Sequence, residues 1–120
     1  MILIIYKFLE EYYGGVEAGG TKFVCVIANG PEDILAETRF PTTDPSETIK
    51  KTINFFEESI EKYNIRLLSL GVGSFGPIDL DLSSRSLGYI TTTPKKGWEN
   101  TDLIQPIKIS ELFETILVHF

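Results

Sequence analysis

Three short segments carry residue types that can bind and move a phosphoryl group. The first reads Gly14-Gly15-Val16-Glu17-Ala18-Gly19-Gly20-Thr21-Lys22. Successive glycines let backbone N–H groups converge on an anion. The Thr21 hydroxyl and the Lys22 ammonium add donors to phosphate oxygens. Glu17 stands two positions ahead of the glycine pair, where an acidic residue can help hold Mg²⁺ through water. The pattern is not a Walker A loop, which needs Gly-x-x-x-x-Gly-Lys-Ser/Thr ahead of a helix. Strand-like runs flank it instead, so the expected shape is a hairpin that cradles phosphates. The same spacing also suits a plain tight turn.

The second segment is Gly71-Val72-Gly73-Ser74-Phe75-Gly76-Pro77-Ile78-Asp79, directly after a run that reads as a buried strand. Strand-to-loop switches are where α/β sheets bind ligands. Gly73 and Gly76 let a substrate approach the backbone, and Ser74 can hydrogen-bond a hydroxyl; a structural loop is the other reading. The third is Thr91-Thr92-Thr93-Pro94-Lys95-Lys96-Gly97-Trp98. An aromatic face beside hydroxyls and a cation suits a sugar, although Trp98 taken alone reads rather as core. His119 is the single histidine and receives no role. Asp79, Asp81 and Asp102 read as solvated or structural groups, not as catalytic bases.

Specific elements must position these segments. Runs on both sides of Gly19-Gly20 predict two antiparallel strands, the second over Phe23–Ala28, with a turn at φ > 0 between them. Gly30-Pro31 breaks the chain, and 34–40 predicts a third antiparallel strand. Pro41 to Pro45 is a loop. Ile49, Ile53, Phe56 and Ile60 recur at helical spacing, with Ser46 or Asp44 as the cap. Leu67 to Val72 predicts a buried parallel strand after that crossover helix. Leu87 to Thr93 predicts an extended piece. The spacing over 102–113 suits a helix, although Pro106 strains its first part, and 115–120 suits a final strand. The order implies an α/β mixed sheet covered by helices.

Composition excludes other classes. The chain has 120 residues, 42% hydrophobic and 23% charged, which is enough for a folded core. Net charge is −6, which argues against nucleic acid and against an anionic membrane surface. One cysteine, Cys25, rules out an internal disulfide and a zinc site of several cysteines, and fits a reducing, cytoplasmic compartment. The apolar start, Met1 to Tyr6, is interrupted by Lys7 and is neither a signal peptide nor a membrane span. It reads as an extra strand, a short helix or a wrongly chosen start codon.

Taken together, the glycine-rich segment from Gly14 to Cys25, Phe40-Pro41-Thr42, the segment from Gly71 to Asp79 and Thr92-Thr93-Pro94-Lys95-Lys96-Gly97-Trp98 resemble the ROK family (repressors, open reading frames and kinases). Within it they are most similar to the bacterial fructokinases, a branch to which Glu17 points. The resemblance covers roughly 14–105. It implies the actin-like ATPase (ribonuclease H-like) fold, with residues 14–120 as a truncated N-terminal lobe and 1–13 as an extension outside the family. It implies that Glu17, Gly19, Gly20, Thr21 and Lys22 meet the nucleotide. Ser74, Gly76, Pro77, Lys95, Gly97 and Trp98 would lie near the sugar. The implied chemistry is transfer of the ATP γ-phosphoryl group to a hexose hydroxyl, most readily fructose to fructose 6-phosphate, with Mg²⁺. The implied partners are a sugar and ATP, with a homodimer possible in full-length relatives. The family's catalytic aspartate falls beyond Phe120, so no catalytic residue and no metal ligand is assigned here. The family's zinc motif, second phosphate loop and adenosine site are also absent. The chain by itself is therefore expected to be inactive. A non-catalytic sugar- or nucleotide-binding module and a degraded gene product remain the competing readings.

Overall fold

The computed structural model describes residues 9–119. The segment Met1–Tyr6, read above as a strand, helix or mistaken start, lies outside the described residues.

Alternating apolar residues build β1 (Glu10–Ala18), β2 (Lys22–Gly30) and β3 (Asp33–Pro41). Val16, Ala18, Phe23, Cys25 and Ile27 all turn to one buried face. The three strands pair antiparallel in sequence order. β1 already pairs at Glu10, with Ile65, so residues 10–13 belong to the sheet.

The helix α1 (Pro45–Tyr63) follows β3. Of the two cap candidates, Asp44 is the cap: its Oδ1 accepts the Glu47 N–H at 2.9 Å. Pro45 starts the helix, and Asn64 ends it in the left-handed region at φ 52°. Ile49 and Phe56 lie buried against the sheet, each contributing roughly 1.5–3 kcal/mol. Thr48 and Thr52 are also fully buried, and Thr52 is satisfied by donating to the Thr48 carbonyl at 2.9 Å. Beneath the helix, burial pushes the Cys25 thiol up to about 12, against the smaller opposing effect of its bond with Thr52.

β4 (Ile65–Ser74) then runs parallel to β1, and β7 (Thr115–His119) runs parallel to β4. The sheet order is β3-β2-β1-β4-β7, a mixed sheet of the expected kind. Between β4 and β7 lie β5 (Tyr89–Ile90), β6 (Thr101–Asp102) and α2 (Ile104–Ile109). β5 and β6 pair with each other, outside the main sheet. The helix expected over 102–113 is therefore much shorter. Asp102 sits in a strand and accepts the Gln105 N–H at 3.0 Å, while Glu111 takes φ 57° just past the helix end.

Candidate functional site

The hairpin between β1 and β2 forms without either glycine taking φ > 0. Among the described residues only Gly88 and Gly97 are glycines in that region. The expected reason for Gly19 is thus corrected. Its N–H donates to the Lys22 carbonyl at 3.0 Å, and a β-carbon at Gly19 would stand 2.7 Å from that oxygen. Glycine is required there by close approach, not by backbone handedness. Gly20 has open space around it. Thr21 and Lys22 are exposed at the tip, and Glu17 is exposed on the sheet just before it.

Sheet register brings the second segment beside this hairpin. In the parallel β1–β4 pair, Glu17 is level with Gly73 and Ala18 with Ser74. The chain stays tied one residue further on, where Phe75 N–H donates to the Ala18 carbonyl at 2.8 Å. Neighbouring strands lie about 4.8 Å apart. The two glycine-bearing bends therefore share one end of the sheet, with Lys22 and Pro77 both exposed there. The Gly76–Pro77 peptide is cis. Ser74 is mostly buried and its hydroxyl donates to the Phe75 carbonyl at 2.7 Å. Only its lone pairs remain for a ligand, so it can accept but not donate.

The third segment docks on the second. Thr91 N–H donates to the Pro77 carbonyl at 2.9 Å, and Ile90 bridges to Ile78. Gly97 turns the loop at φ 88°, and Lys95 is half-buried while its carbonyl accepts the Trp98 N–H at 3.2 Å. Trp98 itself is corrected from a sugar-stacking face to a packing residue. It is 0% exposed. Its ring lies 5.9 Å from Phe23 and 5.5 Å, edge-on, from Phe75. Its indole N–H donates to the Thr43 carbonyl at 2.8 Å. It joins the hairpin, the glycine-rich loop and the segment after β3 through their undersides.

Two residues to which the sequence reading gave no site role lie at this end of the sheet. Thr42 is buried, and its hydroxyl donates to the Gly19 carbonyl at 2.7 Å while its N–H donates to the Thr21 carbonyl at 2.9 Å. Its sequence signal was its place in Phe40-Pro41-Thr42, one of the segments that carry the family resemblance. His119 is level with Gly73 on β7, and a β-carbon at Gly73 would stand 3.1 Å from the imidazole. It borders the same end of the sheet.

Asp79 is not a spare base. Its carboxylate accepts the hydroxyls of Ser84 at 2.5 Å and Ser86 at 2.6 Å, and the Asp81 N–H at 2.9 Å. These bonds, Ser84 first, hold its pKa below the ordinary aspartate range. A lowered folded pKa means that this stabilisation is present above the unfolded value. It is lost as pH falls through the folded one. Asp79→Asn is accordingly expected to lower the melting temperature at pH 7. The gap from the parent should close below about pH 4, as read by melting curves across pH 3 to 8. A gap that stays constant with pH would contradict this role.

No group of three or more potential metal ligands occurs among the described residues. Mg²⁺ does not need one, because it commonly binds through one or two carboxylates plus substrate phosphates and keeps several waters. The exposed carboxylate of Glu17, just ahead of the hairpin at 19–22, fits that requirement. No helix among the described residues is long and apolar enough to cross a membrane.

The family model described as "ROK family" matches residues 13–117. A fructokinase of Lactococcus lactis subsp. cremoris is 53% identical over 100 residues, covering 83% of this chain and 32% of that protein. This chain thus spans about a third of that relative's length. A ROK hexokinase from Thermus thermophilus superposes with a TM-score of 0.69 at 17% identity, over 90% of this chain and 34% of that one. A ROK family glucokinase from Streptomyces griseus, solved in complex with glucose and AMPPNP, superposes with a TM-score of 0.59 at 17% identity, over 88% of this chain and 32% of that one.

Proposed function

The chain belongs to the ROK family and has the actin-like ATPase fold of its sugar kinases, and from that premise we propose that it is the N-terminal part of a kinase transferring the ATP γ-phosphoryl group to a hexose. Fructose is the proposed acceptor and fructose 6-phosphate the product, because the curated relatives at 53% and 49% identity are fructokinases. The observation that carries the reading is the shared sheet end. The register of Ala18 with Ser74 sets the hairpin at 19–22 next to a glycine-lined loop.

In this reading the exposed Thr21 and Lys22, with the backbone N–H of Gly20, grip nucleotide phosphates, while Gly19, whose N–H is bonded to the Lys22 carbonyl, shapes the turn that presents them. Glu17 faces the Mg²⁺ that accompanies them, through water. Mg²⁺, when bound, neutralises charge on the transferring phosphoryl group. Ser74 accepts from a sugar hydroxyl, and Gly76, Pro77, Lys95 and Gly97 shape the sugar's entry. Trp98 acts from below by fixing those loops. Proton removal from the sugar hydroxyl belongs to a residue outside this chain. Asp79 accepts from Ser84, Ser86 and Asp81, so it is not the base in this reading. The chain alone is therefore proposed to be inactive, and the cytoplasm is its proposed compartment.

The test joins this chain to the downstream two thirds of the Lactococcus lactis relative. The hybrid is expected to form fructose 6-phosphate from fructose and ATP–Mg, with mannose and glucose as slower acceptors. The 120-residue chain is expected to form none. A folded hybrid that phosphorylates no hexose would refute the assignment.

A further inference from the structure

The proposed nucleotide hairpin and the proposed sugar loop are both held by two consecutive residues. Thr42 holds the hairpin from two directions, by its hydroxyl on the Gly19 carbonyl at 2.7 Å and by its N–H on the Thr21 carbonyl at 2.9 Å. Thr43 holds the loop, because its carbonyl accepts the Trp98 indole N–H at 2.8 Å. The same Thr43 is anchored to the first turn of α1. Its N–H donates to the Thr48 hydroxyl at 3.0 Å, and its own hydroxyl donates to Glu47 at 2.8 Å. Consecutive Cα atoms are about 3.8 Å apart across a trans peptide. Hairpin and loop therefore cannot separate without breaking one of these bonds or pulling the segment off the helix.

We propose that Thr42 is a positioning residue: with Thr43 and Trp98 it forms a rigid strap that sets the spacing between the hairpin at 19–22 and the loop at 91–98. That the strap sets the spacing between nucleotide and sugar rests on the function proposed above. The mechanical coupling itself does not. The hydroxyl of Thr42, and not its methyl group, is the working part, since the oxygen makes the bond to Gly19. Reactive geometry is sensitive to such spacing: a misplacement of about 1 Å can cost on the order of 100-fold in rate.

Hydrogen exchange on the 120-residue chain tests the coupling without any ligand. Thr42→Val keeps the side-chain shape and removes the hydroxyl; Thr42→Ser keeps the hydroxyl. Thr42→Val is expected to speed exchange about tenfold at the Gly19 amide and also at the Trp98 indole N–H. Thr42→Ser should leave both near the parent rates. In the reverse direction, Trp98→Phe should speed exchange at the Gly19 and Thr42 amides. An effect of Thr42→Val confined to the hairpin overturns the strap, and so does a Ser variant as damaging as the Val variant. Should Thr42→Val fail to fold, Trp98→Phe decides: unchanged Gly19 exchange overturns the proposal.

The hybrid enzyme gives an independent readout. There Thr42→Val is expected to lower kcat by roughly 10- to 100-fold, with KM for ATP and for fructose within about threefold of the parent. A raised KM for ATP alone, at full kcat, would make Thr42 a local contact and overturn the positioning role. A parent hybrid without activity would count against the kinase assignment, and hydrogen exchange would then decide the coupling on its own.

Discussion

Trp98→Ala is expected to lower stability by about 3–5 kcal/mol and to drop the melting temperature by more than 10 °C, at roughly 4 °C per kcal/mol. The residue is fully buried among Phe23 and Phe75, and its indole satisfies the Thr43 carbonyl. Truncation removes a large apolar volume at a point where three chain segments meet, so collapse of one neighbour cannot fill the gap. It also strands a carbonyl, adding to the loss. Domains carry roughly 5–15 kcal/mol in total, so this one change takes a large part of it. Trp98→Phe should be milder, because the ring is kept and only the N–H is lost. Thermal melts by circular dichroism would check both. A loss under 1 kcal/mol for Trp98→Ala would place the residue back at the surface, and would revive the sugar-stacking role that its burial excludes.

Gly19→Ala is expected to damage the hairpin, while Gly20→Ala leaves stability nearly unchanged. The two glycines are adjacent and both avoid φ > 0, so a backbone argument cannot separate them. Space does. A β-carbon at Gly19 would stand 2.7 Å from the Lys22 carbonyl oxygen, a backbone atom that cannot swing aside, whereas nothing lies within 4 Å of one at Gly20. The Gly19 variant must spread the turn, breaking its N–H bond to Lys22 and disturbing the Thr42 hydroxyl on its carbonyl. Overpacking of this kind costs about 1–3 kcal/mol, against less than about 0.5 kcal/mol for Gly20→Ala. In the hybrid enzyme Gly19→Ala should also raise the KM for ATP at least about tenfold, since the groups at 20–22 proposed to bind phosphate lose their alignment. Equal melting temperatures for the two variants would remove the steric account.

Much of the fold was legible because its signals are local. Ile49, Ile53, Phe56 and Ile60 announce a helix, and Asp44 with Pro45 announces where it starts. Phe23, Cys25 and Ile27 alternate inward along β2. The short helix near the chain end was overread, because apolar residues at 103, 104, 107, 109, 112 and 113 fit a helical period while the backbone turns at Ser110–Glu111. For Gly19 the reason first offered was turn handedness, whereas the structure requires close approach to the Lys22 carbonyl. Periodicity reports which way side chains face. It carries no information about which distant carbonyl will stand 2.7 Å away.

The amino-acid sequence alone determined the family, the order of the main strands and helix, and the three glycine-bearing segments on which the proposed site rests. These depend on residue types at short spacing, which survive any rearrangement of distant parts. Only the tertiary structure decided that Trp98 faces inward, that Asp79 is spent on Ser84 and Ser86, and that Thr42 and Thr43 tie two loops together. Those outcomes hang on contacts such as Thr43 with Trp98, 55 positions apart. Such a contact exists only once β1, β2 and β4 have brought their ends together, because burial and hydrogen bonding are properties of neighbours in space.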